Sequence, residues 1–300
     1  MDYVGPLTFN AVRCLIGAVV LVPCVFLLDA LGAGQDRSGE GGPAGTSAAG
    51  KTAYSPAAGR ADGAAREAGK SGGPGQLRRW ADPQLWKGGV ICGVFLCLAS
   101  NLQQIGIVYT SVGKAGFITA MYIVIVPLIG ILAGRRSNWK IWVSVLLAVV
   151  GLYLLCMSGK LEINKGDVLM LGCALCFSFQ IMAVDHYADK VDNVRLSCLE
   201  FCVCGLISAV LMFVFENPRI TSILAAKLPI LYAGVRSCGV AYTFQIIGQK
   251  GLDPAVASLI MSLESVVSAL GGWLILRQGL SGREIAGCAI MFAAVLLAQR

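Results

Sequence analysis

Charge is scarce in this sequence. Only 14% of the 300 residues are Asp, Glu, Lys or Arg, against about 25% in soluble domains. With 56% hydrophobic residues and a mean hydropathy of +0.73, such a chain would present large apolar patches to water and aggregate. Histidine is scarcer still. His186 is the single one, so a Cys/His zinc site has little to draw on. The sequence matches GxxxxGK[ST] once, at Gly45 to Thr52, but in a Gly/Ala/Ser-rich stretch with no strand pattern before it and no helix pattern after it, so ATP is not read as the direct energy source. HExxH and clustered carboxylates are missing, and the GxSxG match at Gly69 to Gly73 falls in the same Gly/Ala-rich stretch without the strand-to-helix pattern of a nucleophile elbow, which leaves a membrane-embedded enzyme without a reaction centre. The net charge of +7 comes without a basic stripe interleaved with aromatics, and nucleic acid is not an expected partner. Met1-Asp2-Tyr3 offers no basic n-region, and Arg13 interrupts the first apolar run, so no secretory signal is read. No cofactor and no metal are expected.

What is abundant is apolar length. Nine runs approach the ~20 residues needed to cross about 30 Å of hydrocarbon. They are Thr8 to Leu28, Gly88 to Tyr109, Ala115 to Ala133, Ile141 to Met157, Val168 to Val184, Leu196 to Phe215, Leu228 to Gly248, Pro254 to Leu276 and Glu284 to Ala298. They are too continuously apolar for barrel strands, which alternate, and only a helix satisfies its own backbone in lipid. The expected fold is an all-α polytopic membrane protein of about nine helices. The twelve cysteines all fall inside these runs and read as small packing residues; Cys173 and Cys176 form a CxxC lacking the setting of a redox loop or zinc knuckle.

The segment 30–87 differs. It is rich in Gly, Ala and Ser and cannot bury enough apolar surface to offset ordering, so a disordered loop is expected. It carries Arg37, Lys51, Arg60, Arg66, Lys70, Arg78, Arg79 and Lys87. Lys and Arg stay on the cytoplasmic side, which places this loop and the C-terminus in the cytoplasm and the N-terminus outside.

The sequence repeats itself. Leu102-Gln103-Gln104-Ile105-Gly106 recurs as Phe244-Gln245-Ile246-Ile247-Gly248, 142 residues later. Pro6 to Arg13 matches Asn193 to Glu200 at an offset of 187. The difference is close to the excess length of the Gly/Ala-rich loop, so one insertion reconciles both. The expected organisation is residues 1–29 as the first helix of an N-terminal repeat, 30–87 as the loop, 88–160 as the rest of that repeat, and 161–300 as the second repeat. A repeat with an odd number of spans reverses across the membrane, which gives an inverted pair of the kind found in transporters.

These residues resemble the EamA-like family of the drug/metabolite transporter superfamily. The resemblance rests on Tyr3 to Arg13, on Leu102 to Ile118, on Pro127 and on Ser262-Leu263-Glu264. It implies two inverted five-helix units and export of amino acids, other metabolites or toxic compounds. Against that pattern the chain lacks the first helix, has an enlarged loop after the second, and carries Ser265 where the family usually has Pro. An apolar run of about 20 residues ahead of Met1 would restore the ten helices of that pattern.

Charges within spans cost about 2.5–3.5 kcal/mol each on insertion scales and need a partner, a cavity or a route to the surface. Arg13, Glu200, Arg236 and Glu264 are the candidates. Arg13 and Glu200 are repeat equivalents: either they approach the cavity, Arg13 for a carboxylate and Glu200 for an amine or proton, or they snorkel outward. Glu264 lies mid-span, with Arg236 as its candidate counter-ion. Gln103 and Gln245 both donate and accept, which suits zwitterionic solutes; interhelical hydrogen bonding is the alternative. Asn101, Tyr242, Gln104, Tyr122 and Gln180 are further lining candidates, with Trp273 and Phe117 nearby. Gly130, Gly151, Gly172, Gly234 and Gly271 are read as helix-packing positions. Asp185-His186 is a proton relay or a solvated pair. The leading reading is a secondary transporter of a small solute in the plasma membrane, exporting amino acids or related metabolites. The alternatives are a non-transporting membrane scaffold or truncated inactive paralogue, and a multidrug or lipophilic-cation exporter. Expected partners are the solute and the lipid bilayer, with a homodimer left open.

Overall fold

The computed structural model describes residues 4–30, 80–135, 138–157, 164–277, 279 and 281–299. The expected loop falls for the most part outside them, at 31–79. The described residues are helical: α1 (Pro6–Ala30), α2 (Pro83–Gly106), α3 (Val112–Thr119), α4 (Tyr122–Leu132), α5 (Trp139–Cys156), α6 (Lys165–Ala188), α7 (Asn193–Phe215), α8 (Ile220–Ala225), α9 (Lys227–Tyr232), a π-helical stretch (Ala233–Ala241), α10 (Tyr242–Gln249), α11 (Pro254–Ser262), α12 (Glu264–Leu276) and α13 (Gly282–Ala298). Among these residues eight stretches are long and apolar enough to cross a membrane. The 17 residues of α13 form a shorter ninth at the lower limit of spanning length. Large side chains such as Phe213, Phe215, Leu274 and Ile275 point outward, as lipid contact requires.

Several spans are built from two pieces. The α3–α4 span tightens at Ala120–Met121, where Met121 N donates to Ile118 O and Val124 N to Met121 O. The α11–α12 span tightens at Leu263, whose N–H donates to Ile260 O. Met121 and Leu263 are 142 residues apart, the offset of the glutamine pair. Pro127 lies six residues beyond the first break and has Ala269 at the equivalent place in the second, so proline does not cause the break. At its start α2 is capped by the Asp82 side chain, which accepts from Gln84 N at 2.9 Å, with Pro83 at the first helical position. The helix therefore begins five residues before the apolar run suggests, because Pro83 to Lys87 read as loop on composition alone.

Contacts fix helix direction. Cys14 meets Cys204, Asn10 meets Ser208, and Leu7 meets Glu216, so α1 and α7 are antiparallel. Gly89 packs on Leu199 and Gly93 on Val203, so α2 and α7 run together. Gly234 packs on Ile16, Gly17 on Cys238 and Gly239 on Val20, so the Lys227–Gln249 span runs with α1. It follows that α2 runs opposite to Lys227–Gln249, its equivalent in the second repeat. Gly151 lies against Met291, and Gly287 against Leu155, so α5 and α13 are antiparallel too. Repeat-related helices cross the membrane in opposite directions.

The α5–α13 crossing depends on small residues. A Cβ at Gly287 would sit 2.7 Å from Gly151 O, and one at Gly151 would sit 2.8 Å from Met291 Cγ and 3.0 Å from Gly287 O. Gly234 is equally tight, against Ile16 Cγ2 at 2.7 Å. The other expected packing glycines differ: Gly130 and Gly271 face open space and Gly172 makes ordinary contact. Gly287→Ala should therefore destabilise the protein by about 1–3 kcal/mol through overpacking against backbone, whereas Gly271→Ala should be neutral or better. Thermal unfolding in one detergent compares the two.

Candidate functional site

A cavity of about 570 Å³ lies where the two repeats meet. Arg13 of α1, Gln103 of α2, and Thr119 and Tyr122 of the broken α3–α4 span line one part of it. Phe177, Gln180 and Ile181 of α6 line another. The second repeat supplies Ser237, Ala241, Tyr242, Phe244, Gln245, Gly248 and Gln249 from the π-widened span, then Ala257, Ile260, Met261 and Glu264 from α11–α12. The lining continues to Leu252, in the turn between α10 and α11, so the cavity extends from mid-span to that end of the molecule.

At the opposite end the two repeats are joined by polar ties. The Glu216 carboxylate after α7 accepts from Leu7 N and Thr8 N at 2.9 Å and from Thr8 Oγ1 at 2.6 Å, capping the first turn of α1. Asp167 of α6 accepts from Thr110 at 2.8 Å and pairs with Lys114. Near the cavity's own end, Arg135 after α4 pairs with Asp185 of α6, and His186 contacts Lys190 Nζ at 2.7 Å. Asp185 and His186 thus have separate partners.

Each charged wall residue has a physical support. Arg13 Nε donates to Asn10 Oδ1 at 3.0 Å, and its guanidinium lies 5.7 Å from the Phe9 ring centroid. Asn10 is itself fixed by three buried acceptors at 3.0 Å, Ser100 Oγ, Asn101 Oδ1 and Ser208 Oγ. Glu264 is the first residue of α12, immediately after the tight turn, where the partial positive end of the helix favours a carboxylate. It is exposed within the cavity. Tyr122, its repeat equivalent, opens α4 at the matching place. Tyr242 lines the same cavity and lies within electrostatic range of both Arg13 and Glu264. The Lys227–Gln249 span is widened to π geometry over Ala233–Ala241, a feature that gathers at functional sites; α2, its equivalent, is regular.

Of the residues singled out from sequence, Arg13, Gln103, Gln245, Tyr242 and Glu264 share this cavity. Arg236 does not. It faces outward, 5.9 Å from the Tyr232 ring centroid, and is no counter-ion to Glu264. Glu200 is fully buried one layer behind the wall, where its Oε1 accepts from Gln180 Nε2 at 2.8 Å. Asn101 is held in the Asn10 network through Ser208 Oγ and Cys97 O, both at 2.9 Å. Trp273 faces outward and Phe117 packs edge-on to Tyr153, so neither reaches the cavity. Sequence reasoning missed Thr119, Phe177, Ser237, Gln249 and Met261. Thr119 and Met261 carried a signal, since the 142-residue offset pairs them.

The Asn10 network should be a major stabilising feature. Asn10→Ala leaves buried polar groups short of a partner at about 1–3 kcal/mol. Ser144→Ala removes a buried hydroxyl with no hydrogen-bond partner and should be neutral or stabilising. Melting temperatures of the two variants check this contrast.

The EamA-like transporter family matches the chain twice, over residues 74–157 and 164–299, which correspond to α2–α5 and α6–α13. An uncharacterized transporter of Archaeoglobus fulgidus is 32% identical over 213 residues, 71% of this chain and 68% of that protein. Protein PecM of Dickeya dadantii is 33% identical over 69 residues, 23% of each chain. A solved crystal structure superposes with a TM-score of 0.66 over 98% of this chain and 87% of the other, at 19% identity, and so shares the fold. The inverted helices, the seam cavity and the double family match converge: the chain belongs to the EamA-like transporter family and is a multi-pass membrane transporter of the drug/metabolite type.

Proposed function

We propose that the protein exports amino acids or closely related zwitterionic metabolites by alternating access, as a secondary transporter in the plasma membrane. The observation that carries this reading is a fixed cation and a carboxylate, Arg13 and Glu264, on the wall of one cavity. A guanidinium binds a solute carboxylate in a bidentate manner, and Glu264 suits an ammonium. Gln103 and Gln245 supply donors and acceptors for the rest of the solute. Keeping two charges at mid-membrane is costly, and a water-accessible cavity offsets that cost. The ties at Glu216 and Asp167 join the repeats at one end while the cavity lining reaches the other, which suits one state of an alternating cycle. The Lys- and Arg-rich segment 30–87 favours a cytoplasmic position for that loop and for the C-terminus.

A second reading is a lipophilic-cation exporter. Phe177, Phe244, Tyr122 and Tyr242 also line the cavity, and aromatic faces with one carboxylate attract organic cations. Proteoliposome flux separates the two, with a panel of radiolabelled amino acids set against tetraphenylphosphonium. Amino-acid flux is expected. Arg13→Gln and Glu264→Gln should each lower it about tenfold or more, since a hydrogen bond to a charged group contributes about 1.5–3 kcal/mol. Melting temperatures measured in parallel separate lost binding from lost folding. Tetraphenylphosphonium flux that ignores Arg13→Gln favours the second reading; no flux of any solute favours a scaffold.

A further inference from the structure

Among the described residues Glu200 is the most isolated acidic group within a membrane span, and it is not among the residues that line the cavity. Its side chain is 0% exposed in the middle of a helix bundle. Oε1 takes one hydrogen bond, from Gln180, and Oε2 has none within the protein. Among the described residues no cation is bonded to it, and Cys92 of α2 and Tyr242 of α10 are the titratable groups within electrostatic reach. From α6 the facing group is the neutral Gln180. On α1, Arg13 and Cys14 interact with Cys238, Cys204 and Tyr242 rather than with this carboxyl. Arg195, five residues earlier on α7, is bonded to Asp192.

A carboxylate held by a single neutral donor in such a place is poorly compensated. A carboxylic acid is not, because the Gln180 N–H still serves its carbonyl oxygen. Gln180 is the link outward: it too is 0% exposed, it lines the cavity, and its own Oε1 has no partner within the protein. Its side chain therefore stands between Glu200 and the cavity, bonded to one and bordering the other.

We propose that Glu200 is a proton-binding site of the transport cycle, reached from the cavity when the Gln180 side chain turns aside. The step is a simple transfer: the acid gives its proton to a cavity water, leaving a carboxylate and a hydronium ion, and is reprotonated from the opposite side after the repeats exchange conformation. The inference rests on the transporter reading of the cavity and adds a coupled ion to it.

Infrared spectroscopy of the purified full-length protein tests protonation without any solute. A protonated carboxyl C=O band should be present at neutral pH. It should be missing in Glu200→Gln and retained in Glu264→Gln. In Gln180→Leu it should move to higher frequency, because its hydrogen bond is lost. A band unchanged by Glu200→Gln overturns the proposal. In proteoliposomes a one-unit pH gradient biases accumulation about tenfold per proton exchanged. With the amino acid moved fastest in the flux panel, wild type should show that bias, and Glu200→Gln should lose it while keeping exchange at equal pH. A Glu200→Gln variant that still follows the gradient also overturns the proposal. A panel in which no amino acid moves counts against the substrate assignment, and the infrared result then decides the proton site by itself.

Discussion

Hydrocarbon offers no hydrogen bonds, and the architecture follows from that constraint. Every backbone amide in the membrane must find its partner within its own segment, so the chain becomes helices. Every polar side chain must find one on a neighbouring helix or in water. Asn10 shows how tightly this binds distant parts of the sequence, since one amide nitrogen joins α1 to α2 and α7 through three oxygens. The same network then holds Arg13 in position. A charge on the cavity wall is placed by a buried amide, and the amide is placed by the need for polar groups in the membrane to find partners.

Opposed helix directions follow from contacts as plain as Gly17 on Cys238 and Gly93 on Val203. Glycine lets these helices approach closely where no hydrophobic force in lipid would pull them together. Oppositely directed halves place their breaks, at Met121 and Leu263, at matching points. The breaks expose helix starts at mid-membrane, and Tyr122 and Glu264 occupy those starts. The cavity is therefore a product of the repeat and belongs to neither half alone.

Much of this was legible in the sequence because apolar length and the 142-residue offset are linear properties. They gave the spans and the Gln103–Gln245 pair, and charge within a span pointed to Arg13 and Glu264. The direction in which a side chain points around its helix is not a linear property. Arg236 counts as mid-span, yet it lies within a π-helical stretch that changes the angle per residue, and it faces outward. Glu200 matches Arg13 in register, but α6 stands between it and the cavity through Gln180. Asn101 looked like a lining residue because its polarity is visible, while its engagement with Asn10 and Ser208 is a matter of packing. The start of α2 was set late because Gly/Ala-rich neighbours masked the cap at Asp82.

The tight turns at Met121 and Leu263 are related by the repeat, but the residues that follow them are unlike: a phenol at one and a carboxylate at the other. Arg13 and Glu200 differ in the same way. A dyad in the backbone is thus overwritten by a polarity in the side chains. The seam therefore presents chemically distinct poles, a guanidinium at Arg13 and a carboxylate at Glu264, within a backbone that is even-handed.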